Sequence, residues 1–528
     1  MKTLFYGGPI LTMEQPLYAE AVLVDNGVIR AVGNLDALSQ MAGDCEKIDL
    51  QGKAMLPAFI DPHSHFFQVA CALLQASVDG CDSPQKIGER IRKFIAENHI
   101  KPGQWVIARD YDNNLMPGLQ NPTLQQLDSF APVNPLVIHH KSGHMGLLNS
   151  KGLESVGVTE KTESPEGGVI EKKDGKLTGY LEENAFFSVS AKIPMAGRDR
   201  LMQAFQDTQE KYASYGITVL QDGMVAKPML PVYRELLKEN NLQLDVKLYA
   251  GLDTYEDCKA LLKEFPENKH LQLGGLKIFL DGSPQGRTAW MRAPYEGSPD
   301  YSGYGTMTDE AVENAFRMAA QNHTQIIAHC NGDAAAAQFL RCMENVQKEY
   351  PELKELRPVI IHGQLMGADQ LPAARALGVM VSFFVAHTYH WGDVHIRNFG
   401  MERASQISAA ASALKEGVPF TFHQDAPVIQ PDMLETIWCA VNRQTREGVT
   451  LGTNQKISPL DAIRAVTVNA AYQYSEEKRR GSIAAGKTAD FVILSEDPLA
   501  VAPMKIRDIR VDSTFKSGKQ VFCRMNKQ

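Results

Sequence analysis

Cysteine is sparse in this chain: eight in 528 residues, with no two in a C-x-x-C pair. Scattered at positions 45, 71, 81, 258, 330, 342, 439 and 523, they do not make a disulfide framework and are expected as reduced thiols. Long apolar runs are missing as well; none approaches the roughly 18 residues that span a bilayer. The first 16 residues break at Gly7-Gly8-Pro9 and carry Glu14, which does not suit a secretory apolar segment. Basic charge is not in excess, since 54 Lys+Arg stand against 62 Asp+Glu for a net −8, and no positive field is available to a nucleic-acid backbone. With 44% hydrophobic and 22% charged residues, disorder and low complexity are excluded. The expectation is a soluble cytoplasmic protein with no nucleic-acid and no membrane partner.

What is present changes texture along the chain. Both ends are strand-like. Residues 21–25 and 28–32 flank Asn26-Gly27, a type I′ hairpin signal, and residues 490–494, 509–512 and 518–522 repeat the character. Between them, strands and helices alternate, with helical spacing at Ile87, Ile91, Phe94, Ile95 and at Phe339, Leu340, Met343, Val346. Apolar runs ending in polar residues fall at 55–61, 136–140, 217–222, 246–250, 273–281, 326–329, 359–362, 379–383 and 419–425. That alternation argues for a parallel sheet, and the number of units for a closed α/β barrel. Nine runs are one too many for a (β/α)₈ barrel. The surplus is assigned to residues 80–200, an excursion after the first barrel strand on the face where strand-to-helix loops gather.

The ends of these runs carry the chemistry. Ile60-Asp61-Pro62-His63-Ser64-His65 places an H-x-H after a strand, where alternation points both imidazoles the same way. Taken alone, the pair reads either as half a metal site or as two polar residues leaving a strand for solvent. His329, His362 and Asp425 end three further runs, and in a barrel such ends converge at one mouth. Lys277 lies inside an apolar strand, where desolvation lowers an amine's pKa. It serves either as an ion-pair partner of Asp281 or, after adding carbon dioxide, as a carboxylate-like bridge between two cations. The His- and aromatic-rich stretch 381–393, with His387 and His390, reads either as pocket lining or as a packed aromatic loop.

H-x-H, a strand lysine, two strand-end histidines and an aspartate together resemble the amidohydrolase superfamily. Residues 54–65, 277–283, 329–334 and 458–463 resemble its third family, the YtcJ-like and N-substituted formamide deformylase-like hydrolases. Residues 21–33 and 481–492 add superfamily-specific matches. The resemblance implies a (β/α)₈ TIM-type barrel over 56–475, a β-sandwich built from 1–55 and 476–528, and 80–200 as an insertion contributing to the pocket. It implies His63, His65, Lys277, His329, His362 and Asp425 as metal ligands. Substrate-contact candidates are His144, which lies in a segment similar to one that lends the family a pocket histidine, with Asp281, His387 and His390. Ala58 replaces the family's usual glycine, and His423 stands where a small residue is common.

The implied chemistry is hydrolysis of an amide C–N bond in a small molecule, an N-formyl or N-acyl amine or a related amide. Two divalent cations activate water, with Asp425 as general base and then general acid. Zinc suits the donor set, with manganese, iron and nickel as alternatives. Carbon dioxide is needed to carboxylate Lys277, and a homodimer is the family expectation. A deaminase of an aminated heterocycle is the alternative within the fold. Against it stand Lys277 and the lack of a glutamate in Cys330-Asn331-Gly332-Asp333. A regulatory protein that keeps the fold is the alternative outside catalysis.

Overall fold

The computed structural model describes residues 2–141, 145–194 and 197–524. Two compact units emerge, one made of Met1–Gln68 with Gln206–Gln528 and the other of Val69–Phe205.

The first unit is built on eight parallel strands, β1 (Phe59–Ile60), β2 (Ile217–Val225), β3 (Asp245–Ala250), β4 (Leu271–Phe279), β5 (Gln325–Cys330), β6 (Val359–His362), β7 (Met380–Phe383) and β8 (Phe420–Phe422). Each pairs with the next in sequence order. They are nearly continuous apolar runs because a parallel sheet is covered on both faces; Val359, Ile360 and Ile361 of β6 are fully buried. The intervening helices obey the usual end rules. In Asp309–Gln321, the Thr308 hydroxyl accepts from the Ala311 N–H, and acids fill the first turn. Its buried face, Val312, Ala315, Phe316, Ala319 and Ala320, keeps helical spacing. Residues 84–97 and 333–347 are helices, as their periodicity predicts.

No strand ladder joins β8 to β1 among the described residues. The segment ending in the helix Val468–Gln473 occupies that seam. The Ile60 N–H donates to the Val466 carbonyl, and the Asn469 side chain donates to the Phe420 carbonyl. Gln473 joins both edges, donating to the Pro62 carbonyl at 2.9 Å and accepting from the Thr421 hydroxyl at 2.8 Å. The sheet is thus curled in the TIM-type manner, bringing the C-terminal ends of β1 and β8 together.

Strands from both chain ends share one mixed eight-stranded sheet: Lys2–Leu11, Tyr18–Asp25, Val28–Gly33, Glu46–Asp49, Ala54–Pro57, Phe491–Leu494, Val511–Lys516 and Lys519–Cys523. Phe491–Leu494 runs antiparallel to Ala54–Pro57. Asn26 and Gly27 both take positive φ in the hairpin turn between the second and third strands. The Lys2–Leu11 strand is irregular between Tyr6 and Ile10, pairing with Glu46–Asp49 before the break and with Ala54–Pro57 after it. Phe5, Ile10, Val22, Phe491 and Phe515 share the core of this sheet.

The second unit holds a separate six-stranded sheet. Its core includes Ile87, Ile91, Val106, Leu127, Phe130, Leu136 and Ile138. The ninth apolar run, 136–140, belongs here as the strand Leu136–His140, parallel to Val106–Tyr111. The unit starts earlier than residue 80, because Ala76–Ser77 is its edge strand. No disulfide joins any of the eight cysteines. Among the described residues no helix is long and apolar enough to cross a membrane.

Candidate metal centre at the strand ends

The strand ends of the parallel sheet gather the six ligand candidates. Nε2 of His63 and of His65 lie 3.4 and 3.2 Å from Oδ1 of Asp425. One donor atom from each of these three residues lies within 4.8 Å of the others. Lys277 Nζ is 3.4 Å from His63 Nε2. His362 packs edge-on to His63 with ring centres 5.5 Å apart, and its Nε2 is 3.0 Å from His329 Nδ1. Two of the six sit in left-handed backbone, His362 at φ 74° and Asp425 at φ 53°. Side chains other than glycine avoid that region unless the surroundings enforce it.

Gln221, in the middle of β2, orients His63. Its Oε1 lies 2.5 Å from His63 Nδ1, while its amide donates to the Pro62 carbonyl at 3.1 Å. With the imidazole proton on Nδ1, the Nε2 lone pair faces Asp425 and Lys277. Gly223 leaves the room: a Cβ there would stand 2.7 Å from His63 Cε1 and 3.1 Å from His65 Cε1. The apolar run 217–222 marks the strand but assigns Gln221 and Gly223 no role; Gln221 lies in the polar pair that ends that run, and Gly223 directly follows it.

Burial sets the charges. It pushes His63 and His362 well below the ordinary histidine range and His329 down to about 4, so these imidazoles are neutral at pH 7. Burial also brings Lys277 down to about 7, against the pull of Asp425. For Asp425 burial acts upward, but His65 beside it and the other imidazoles hold it well below the usual carboxylate range. The result is an enclosed carboxylate beside an amine that is partly uncharged near neutrality.

This donor set fits a divalent cation. Asp425 Oδ1 and His65 Nδ1 are buried without a well-formed hydrogen bond. His63, His329 and His362 are neutral, as ligands must be. An enclosed charge of this kind is normally paired or bound to metal.

The remaining candidates divide. Among the described residues Lys277 makes no ion pair within 4.0 Å. The Asp281 carboxylate instead accepts from the N–H groups of Trp290, Asn331 and Gly332 at 2.7–3.2 Å, and burial raises it to about 7. His387 is buried against His395, with a 3.0 Å contact between ring nitrogens, and meets the cluster through Phe384, which packs on His423. His390 lies between Glu435 and Arg446, at 3.2 and 2.9 Å. The stretch carrying these histidines folds as the helices His387–His390 and Gly392–Ala404 rather than as an irregular loop. His144 lies outside the described residues.

A TIM-type α/β sheet with neutral histidines, a carboxylate and a low-pKa lysine at its strand ends defines a protein of the metal-dependent barrel class. The sequence profile of the amidohydrolase family matches residues 46–522, and the chain belongs to that family. It is 28% identical to the N-substituted formamide deformylase of Arthrobacter pascens, over 95% of this chain and 94% of that protein. YtcJ of Bacillus subtilis (strain 168) is 27% identical over 99% of both chains. Among solved structures, an uncharacterized metal-dependent hydrolase from Pyrococcus furiosus superposes with a TM-score of 0.77 at 23% identity, over 94% of this chain and 100% of that one. One from Pyrococcus horikoshii gives 0.78 at 23%, over 95% and 99%. Likeness at that identity bears on the fold.

Proposed function

We propose that the protein is a metal-dependent hydrolase cleaving the amide C–N bond of an N-formyl or N-acyl amine or a related small amide. The observation that carries this reading is the convergence of His63, His65 and Asp425 donor atoms beside Lys277, with His362 and His329 adjoining. The similarity to an N-substituted formamide deformylase supports the bond class.

In this reading the ligands are His63, His65, Lys277, His329, His362 and Asp425, and they hold two divalent cations. Zinc suits such imidazole and carboxylate donors, as in other hydrolytic sites. Bound there, the metal supplies Lewis-acid polarisation of the carbonyl and a water acidic enough to attack at neutral pH. Asp425 receives the proton of the attacking water and passes it to the leaving nitrogen as the C–N bond breaks. Lys277, uncharged in a large fraction of molecules near pH 7, adds through its nitrogen to carbon dioxide. A C–N bond forms as one C–O π bond of carbon dioxide opens, one proton leaves the nitrogen, and the neutral amine ends as an anion.

The test is a turnover screen of zinc-loaded protein against N-formyl, N-acyl and cyclic amides, with metal counting and intact-mass analysis. Amide cleavage, two metals per chain and a carbon dioxide adduct lost in Lys277→Met are the expected results. Ammonia release from an aminated heterocycle with no amide cleaved would reverse the reading. One metal per active chain with an unmodified lysine would remove the binuclear centre.

A further inference from the structure

We infer that His423 is a positioning residue that fixes the tautomer and pose of His362 through a buried chain ending at Ser382. The inference rests on the reading of His362 as a metal ligand. His423 is fully buried at the end of β8, and both its ring nitrogens are engaged. Nε2 lies 3.1 Å from His362 Nδ1, and Nδ1 lies 2.9 Å from the Ser382 hydroxyl. Ser382, on β7, is itself fully buried.

Proton counting gives the chain one direction. For His362 to present the Nε2 lone pair, its proton must sit on Nδ1 and be donated to His423 Nε2. His423 then carries its proton on Nδ1 and donates to Ser382 Oγ. The opposite polarity would place a proton on His362 Nε2 and close that atom to a cation. A metal-binding histidine commonly gives its other N–H to a carboxylate, a carbonyl or water, and that partner orients the ring. Here a second imidazole takes that place. The need is concrete, because His362 is held at a φ of 74° that its backbone does not favour. With neither ring nitrogen of His423 left over, the geometry points to support of a ligand rather than to a ligand.

The experiment is a zinc titration of the full-length protein against a competing chelating indicator, for wild type, His423→Leu, His423→Gln and Ser382→Ala. Thermal unfolding of each metal-free protein is recorded alongside. Loss of an orienting partner typically weakens metal binding roughly 10–100-fold, and that is the expectation for His423→Leu. His423→Gln offers a carbonyl oxygen to the His362 N–H and should recover most of the affinity. Ser382→Ala should weaken binding by a smaller factor. Should His423→Leu fail to fold, the Gln and Ser382 variants still decide. Wild-type affinity in a folded His423→Leu or, where that variant does not fold, in Ser382→Ala overturns the inference. So does a His423→Gln protein that loses one whole equivalent of metal, since His423 would then be a ligand. A wild-type protein that takes up no metal would instead overturn the metal-site reading itself.

Discussion

Asp425 combines a left-handed φ, a carboxylate kept ionised against burial, and two imidazole nitrogens within 3.4 Å. Residues held in such backbone persist where the surroundings over-determine them, and the cost is met for what the side chain does there. Replacing Asp425 with Asn keeps the shape and removes the base. Turnover of the preferred amide should fall roughly 10²-fold or more, while the unfolding temperature of the metal-free protein changes little. Near-normal turnover in metal-loaded Asp425→Asn would end its assignment as proton shuttle. Gly223 tests the same cluster from the other side. A methyl there meets the His63 and His65 rings at 2.7–3.1 Å, closer than ordinary van der Waals contact, so the imidazoles must turn. Gly223→Ala should lose zinc affinity by roughly 10-fold or more, in the range seen when ligand orientation is disturbed, with the far-ultraviolet circular dichroism unchanged. Unaltered zinc affinity would mean that neither ring holds a metal in the pose seen here.

At the level of strands and helices, how much was legible follows from how each feature is written in the chain. A parallel strand buried on both faces is a short apolar run, and its end is where polarity returns. His63, His329, His362 and Asp425 were therefore visible as chemistry at the tips of such runs. The run 136–140 looks the same but sits in another sheet, and only pairing distinguishes it. The seam between β8 and β1 was not legible at all. It is closed by Gln473, which reaches Pro62 from 411 residues away, and a lone glutamine in a short helix carries no pattern. The same holds for Gln221 and Ser382, whose partners lie at the ends of neighbouring strands but 158 and 41 residues away in sequence. The seam carries its own prediction. Gln473→Leu removes two buried hydrogen bonds and leaves the Thr421 hydroxyl without its acceptor. A loss of about 1–3 kcal/mol in urea unfolding is expected for an unsatisfied buried polar group. A variant as stable as wild type would show that the Gln473 side chain does not hold the seam.

At the scale of the whole molecule, the terminal sheet and the barrel of the first unit are fastened by a buried charge cluster. Asp245, the first residue of β3, contacts Lys516 of the terminal sheet at 2.7 Å, Arg480 at 2.6 Å and His270 at 2.8 Å. Lys516 also reaches Asp490 at 3.0 Å, and Lys247 of β3 pairs with Glu476 at 2.8 Å. Removing one partner from a buried ionic cluster strands the others, at a cost of roughly 3–5 kcal/mol. Asp245→Asn should show a destabilisation of that order at pH 7. The pH dependence has a definite sign. Burial tends to raise the Asp245 carboxyl, but Lys516, His270 and Arg480 outweigh it and hold the folded-state value well below 3.8. A group depressed on folding contributes stability that is complete above its unfolded pKa and disappears as pH falls through its folded value. The stability gap between wild type and Asp245→Asn should therefore be constant from about pH 7 to 5 and close progressively below about pH 4, where the unfolded carboxyl begins to bind protons. Urea titrations of both proteins down to the lowest pH at which each stays folded measure that gap. A gap that widens on acidification, or never exceeds a few tenths of a kcal/mol, would mean that Asp245 is not ionised within this cluster and that apolar packing joins the sheet to the barrel.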